Sequence, residues 1–187
     1  MIKGGIKAVP FQHEKLDDWR KNMKGVSFLH EPTMFSVYGA VDELWIHESG
    51  DLIVVDFKAT SKKSEITLDA DWQMSYKRQM EIYQWLLRMN GFSVSDTGYL
   101  VYCNGRQDVA SFDERLEFTI SLLPYTGDSL WISPKLQEIR SCLVSEIVPQ
   151  PSPPANFATT IYRRINAVPW HRAEKHHTIP LQSLKPL

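Results

Sequence analysis

Asp42, Asp56 and Lys58 are the residues whose types and spacing could do chemistry in this 187-residue chain. The segments that carry them, Phe35 to Ile46 and Leu52 to Ala59, are rich in β-branched and aromatic residues. They flank Glu48-Ser49-Gly50 and read as a β-hairpin. A three-residue loop with Gly50 in the left-handed position sets the register. Ile46 then faces Leu52, Leu44 faces Val54, Asp42 faces Asp56, and Ala40 faces Lys58. On the other face Trp45 meets Ile53, Glu43 meets Val55, and Val41 meets Phe57. Both faces are largely apolar, as suits a strand pair inside a fold. Two acids are thereby opposed at roughly 5 Å, where like charges destabilise. A shared proton, a neighbouring cation or a bound metal must compensate. A pair of hard oxygen ligands with room for water suits Mg²⁺ or Mn²⁺ rather than zinc. Such an ion polarises a phosphoryl oxygen and acidifies a bound water. Lys58, on the same face as Asp56 with small Ala40 opposite, is placed to orient that water or neutralise developing charge. On an isolated hairpin, Asp-x-Lys is ordinarily a solvated ion pair. The second acid is what that plainer reading leaves unexplained.

The elements around the hairpin follow from periodicity. Gln12 to about Lys21 reads as a short helix packing Leu16 and Trp19. Asp71 to Met89 contains neither proline nor glycine. Its Trp72, Tyr76, Gln79/Met80, Tyr83 and Leu87 recur at helical spacing, and Gly91 follows as a C-cap. Tyr99 to Cys103 reads as a buried strand stopped by Asn104-Gly105. Leu116, Phe118, Ile120 and Leu122 alternate with polar residues as in a half-buried strand. Ser133-Pro134 reads as the N-cap and first residue of a helix to about Val144. The expected body, residues 1–148, is therefore a mixed α/β domain on one sheet. A Pro-rich linker, 149–154, leads to a basic tail, 155–187, with Tyr162, Trp170, His171, His176 and His177.

Composition narrows the class. Twenty-one Lys and Arg against 22 Asp and Glu leave a net charge of −1, which excludes a histone-like binder but not a basic groove. Cys103 and Cys142 are the only cysteines, too few for a disulfide framework or a Cys-only metal site. The longest aliphatic run is Leu52-Ile53-Val54-Val55 and the N-terminus lacks an apolar leader, so no membrane span and a cytoplasmic location are expected. No Gly-rich phosphate loop or acyl-transfer motif is present.

Gly39-Ala40-Val41-Asp42, then Asp56-Phe57-Lys58, then a helix with Gln79 and Tyr83 four apart, resembles the PD-(D/E)XK nuclease superfamily. Within it the pattern is similar to the RecB-like branch of recombination exonucleases and CRISPR-associated relatives. Asp56 follows Asp42 by 14 positions and Gln79 follows Lys58 by 21, and the three elements in that order are more specific than Asp-x-Lys alone. Val41 stands where the superfamily's name has proline. The resemblance implies a restriction-endonuclease-like α/β core, a central mixed sheet flanked by helices. It implies a metal-dependent DNA exonuclease acting in repair, recombination or foreign-DNA processing. The alternative is a catalytically silent nucleic-acid-binding module of the same fold.

By the same resemblance, Asp42 and Asp56 hold Mg²⁺ or Mn²⁺, and the backbone carbonyl of Phe57 adds a ligand. Lys58 is the catalytic lysine, and Gln79 and Tyr83 line the site and touch the strand. Relatives carry an upstream histidine or glutamate at the metal, for which His13, Glu14 and His30 are candidates, His30 slightly preferred. Some relatives hold a four-iron–four-sulfur cluster with four cysteines, which this chain cannot supply, so no cluster is expected. Lys62 and Lys63, just past the catalytic lysine, are placed for a backbone phosphate. Near-neutral charge argues for a helicase or other partner that delivers DNA, or for an oligomer.

Overall fold

The computed structural model describes residues 5–108 and 114–149. The chain divides into two compact units, Met1–Leu143 and Val144–Leu187, and the sheet and site belong to the first. The Pro-rich linker from Gln150 onward and the basic tail lie outside the described residues.

In chain order the elements are β1 (Ala8–Pro10), α1 (Leu16–Trp19), β2 (Val26–His30), β3 (Phe35–Gly39), β4 (Glu43–His47) and β5 (Leu52–Thr60). A 3₁₀ turn, Asp71–Gln73, then leads into α2 (Met74–Met89), followed by β6 (Thr97–Gly105), β7 (Phe118–Thr126) and α3 (Ile132–Val144). Five strands form one mixed sheet in the order β1-β4-β5-β6-β7, with only β5 and β6 parallel. The parallel pair requires a crossover, and α2 supplies it. The result is a five-stranded mixed sheet flanked by helices, consistent with a restriction-endonuclease-like core.

The hairpin register matches the expectation from its turn. Ile46 pairs with Leu52, Leu44 with Val54, and Glu43 with Val55, while Gly50 has φ +91°. Even-numbered residues of β5 face α2: Leu52 and Val54, with Leu44 of β4 and Leu100 of β6, pack with Met80, Tyr83, Leu86 and Leu87 in the main core. Odd-numbered Trp45, Ile53 and Val55 fill a smaller cluster on the opposite face. Asp56 and Lys58 continue the even row, so they emerge beneath α2 rather than into solvent.

Four expectations need correction. Phe35 to Ile46 is not one strand: β3 pairs with β2 in a separate two-stranded sheet, and the chain breaks at Ala40–Asp42 before β4. At the break Val41 is buried and donates its N–H to the Trp19 carbonyl at 3.1 Å, which redirects the backbone. The first helix shrinks to Leu16–Trp19, although Leu16 and Trp19 are buried as expected. The alternation at Leu116–Leu122 marks β7 correctly, but Leu116, Phe118 and Ile120 are exposed, because the core clusters reach this edge strand only from Leu122 onward. Finally, α3 starts at Ile132, with Ser133-Pro134 inside its first turn, where a missing N–H is tolerated.

A buried acid ties the far end of the fold together. Glu81 of α2 accepts the Tyr125 hydroxyl at 2.5 Å and the Trp131 indole N–H at 2.6 Å, joining α2 to β7 and the segment entering α3. Burial and then the Glu81 acceptor push the Tyr125 hydroxyl up to about 12. Among the described residues no helix is long and apolar enough to cross a membrane.

Gly39 ends β3 against α2. A Cβ there would lie 2.6 Å from Tyr83 Cε1 and 3.0 Å from Cδ1, so the ring itself occupies the space. Gly39→Ala is expected to lower stability by about 1–3 kcal/mol through overpacking, read as a lower urea midpoint at unchanged slope. An unchanged midpoint would show that Tyr83 yields freely.

Candidate active site

β4 and β5 stay paired only as far as Glu43 and Val55. Beyond them the strands part, and Asp42 does not sit in the ladder opposite Asp56 as its register alone predicts. Its carboxylate turns to the backbone instead: Asp42 Oδ2 accepts the Phe57 N–H at 2.9 Å, a donor that β4 no longer serves. A side chain thus takes over where the ladder stops. Asp42 is exposed at this point, while Asp56 is 4 % exposed.

The two carboxylates still act on each other. Burial raises the proton affinity of Asp56, the negative charge of Asp42 raises it further, and Lys58 opposes both. Lys58 Nζ lies against Asp56 Oδ2 as an ion pair, yet that oxygen has no donor in hydrogen-bonding geometry. Charge compensation is present without a directed bond. A buried carboxylate compensated by a single lysine keeps acceptor capacity for a further cation or donor.

Lys58 is held on three sides. Besides Asp56, its ammonium donates to Gln79 Oε1 at 3.3 Å and sits 4.6 Å from the centre of the Tyr76 ring. Gln79 passes the chain on, with Nε2 donating to the Tyr83 hydroxyl at 2.7 Å. Tyr83 is 7 % exposed, and burial holds its hydroxyl in the protonated form, with the charges of Asp56 and Asp42 adding to the effect. The helical spacing of Gln79 and Tyr83 therefore does what i, i+4 placement allows: the two side chains meet, and Gln79 links Tyr83 to Lys58.

Asp42, Asp56, Lys58, Gln79 and Tyr83 come together with the Phe57 backbone between the acids. His30 is not brought into this group. It is buried, its Nδ1 is 2.8 Å from Thr33 Oγ1, and its ring packs near Trp85. Among the described residues no three His, Cys, Asp or Glu side chains gather as a metal cluster, and His13 is stacked between Phe11 and Trp19. Lys62 and Lys63 lie past the end of β5. The Lys62 backbone is clamped by Asn104, which accepts its N–H at 2.8 Å and donates to its carbonyl at 3.0 Å. Tyr76 is the residue the sequence reading missed as part of the site. By periodicity it belongs to the apolar stripe, although its place three residues before Gln79 puts it on the same face.

A family model for the PD-(D/E)XK nuclease superfamily matches residues 6–172, most of the chain. The chain belongs to that superfamily. No curated protein and no solved structure matches it. As a PD-(D/E)XK nuclease it is expected to work with a divalent metal, and the residues present fit one. Two neighbouring carboxylates, one buried and one exposed, suit a hard ion that keeps several waters rather than a closed site of nitrogen and sulfur ligands.

The raised proton affinity of Asp56 has a definite sign. Its folded-state pKa exceeds the unfolded value, about 4. Its cost to stability is therefore absent below that pH and develops as pH rises through the folded value. A divalent ion binds the deprotonated form and offsets this cost. At about 100 times its dissociation constant the ion should add about 2–3 kcal/mol. Thermal melts with Mn²⁺ and with chelator should differ most near neutral pH. The difference should shrink on acidification, beginning above the ordinary aspartate range. Asp56→Asn should abolish it, and an increment that survives in that variant would put the ion elsewhere.

Proposed function

We propose that this PD-(D/E)XK nuclease is a Mg²⁺- or Mn²⁺-dependent deoxyribonuclease of the RecB-like kind, acting as an exonuclease. The observation that carries the reading is the line from Asp56 and Lys58 of β5 to Gln79 and Tyr83 of α2, with Asp42 beside it. The order and spacing of these residues resemble the RecB-like branch, which is what favours DNA and an exonuclease.

Asp42 and Asp56 would hold the ion, joined by the Phe57 carbonyl. The ion, when bound, supplies a water acidified for attack and a polarised phosphoryl oxygen. Lys58 then serves two ends. Its positive charge faces the place where negative charge builds on the phosphoryl group, and its tethers to Asp56 and Gln79 fix it there before substrate arrives. Gln79 sets the position of the ammonium through its carbonyl oxygen and of the Tyr83 hydroxyl through its amide. Tyr83, kept protonated, can donate to a phosphate or sugar oxygen of the strand. The near-neutral net charge supports a partner or a second copy that delivers DNA.

The test is cleavage of end-labelled linear DNA, single- and double-stranded, with Mg²⁺, with Mn²⁺ and with chelator. Wild type should cleave from an end in a metal-dependent way. Lys58→Ala should lower the rate on the order of 10²–10³-fold. Cleavage equal in the two proteins would point to another site. DNA binding without cleavage under either ion would favour a silent binding module.

A further inference from the structure

α2 and the turn before it carry a second line of side chains, outward from the site. Trp72, Tyr76, Gln79 and Tyr83 are spaced four, three and four apart, so they form one stripe along the helix. The stripe grades from outside to inside. Trp72 is 52 % exposed, Tyr76 and Gln79 are half-buried, and Tyr83 is buried beside the acids. Trp72 and Tyr76 meet edge to face, with ring centres 5.5 Å apart and planes at 87°. Each ring carries a lysine. Lys58 Nζ lies 4.6 Å from the Tyr76 centre and Lys62 Nζ 4.8 Å from the Trp72 centre.

We infer that Trp72 is a stacking platform for an unpaired nucleotide of single-stranded DNA, with Lys62 serving the adjoining phosphate. The inference rests on the deoxyribonuclease reading and names the form of substrate it takes. An indole half in water offers a flat apolar face, and a nucleobase is the part of the substrate with a matching face. In a duplex both faces of each base are covered by its neighbours, and only edges and backbone are presented. A base free to stack belongs to a single strand or to a frayed end. Lys62 is built for the second contact. Its backbone is fixed by the two Asn104 hydrogen bonds, so its ammonium can leave the ring for a phosphate without moving the loop. The arrangement pairs aromatic stacking with a backbone-tracking cation, the combination used by non-specific single-strand binders. Tyr76 joins the platform to Lys58, so a strand stacked at Trp72 has a direct line to the acids.

The experiment is fluorescence anisotropy of the full chain with a labelled oligodeoxythymidine of about 20 nucleotides, with the matching duplex, and with an abasic strand, all in chelator. Trp72→Ala should weaken single-strand binding by about tenfold or more and leave duplex and abasic binding nearly unchanged. Trp72→Phe, which keeps a ring, should retain most of the affinity. Thermal melts of both variants check that each is folded. Unchanged single-strand affinity in Trp72→Ala overturns the platform, as does an equal loss on all three probes. If metal-dependent cleavage persists in that case, the deoxyribonuclease reading stands without it. A wild type that neither binds nor cleaves DNA removes both.

Discussion

The burial of one carboxylate organises this molecule. Asp56 is where the even-numbered row of β5 turns from apolar to charged, its earlier members, Leu52 and Val54, lying in the main core. A charge at that depth is tolerated only with compensation. Lys58 supplies it from two residues further along the same face, and Gln79 and Tyr76 hold Lys58 from α2. The helix crossing over to β6 is therefore more than a connection. It covers the apolar part of the sheet with Met80, Leu86 and Leu87, and it presents its polar stripe where the row turns charged. Packing and chemistry share one helix because its apolar and polar positions fall at different depths along one strand.

Much of this was legible in the sequence, for identifiable reasons. The turn Glu48-Ser49-Gly50 fixes the hairpin register, because Gly50 adopts the left-handed conformation that a three-residue loop needs. The register in turn puts Asp56 and Lys58 on the core side. The helix over Met74–Met89 follows from sixteen residues without a breaker. What the sequence hid was tertiary. Nothing local announces that Phe35–Gly39 leaves the hairpin to pair with Val26–His30, since the run stays β-prone through Ile46. The cause lies in Trp19, whose carbonyl takes the Val41 N–H from a segment more than twenty positions away.

The same limit applies within the site. Register places Asp42 across from Asp56, yet the carboxylate is fixed by the Phe57 N–H, a bond that exists only once the strands part. Tyr76 reads as core by periodicity, and its contact with Lys58 depends on how far the lysine reaches from β5. His30 is the opposite case. The resemblance makes an upstream histidine a candidate ligand, and its bond to Thr33 gives His30 an ordinary structural partner. Pattern reading finds the faces of elements well, and the side-chain partners across elements poorly.

The parting of β4 from β5 has one more effect. From Asp56 to Thr60 the β4 side of β5 has no strand beside it among the described residues. Exposed edges of this kind invite another chain to add itself. Here the Asp42 carboxylate occupies the Phe57 N–H, and Asp56 and Lys58 bring charge to the same stretch. A foreign strand would have to displace that carboxylate and lie along charged residues. The gap that leaves Asp42 exposed beside buried Asp56 is thus closed to an added strand by the same side chains that form the site.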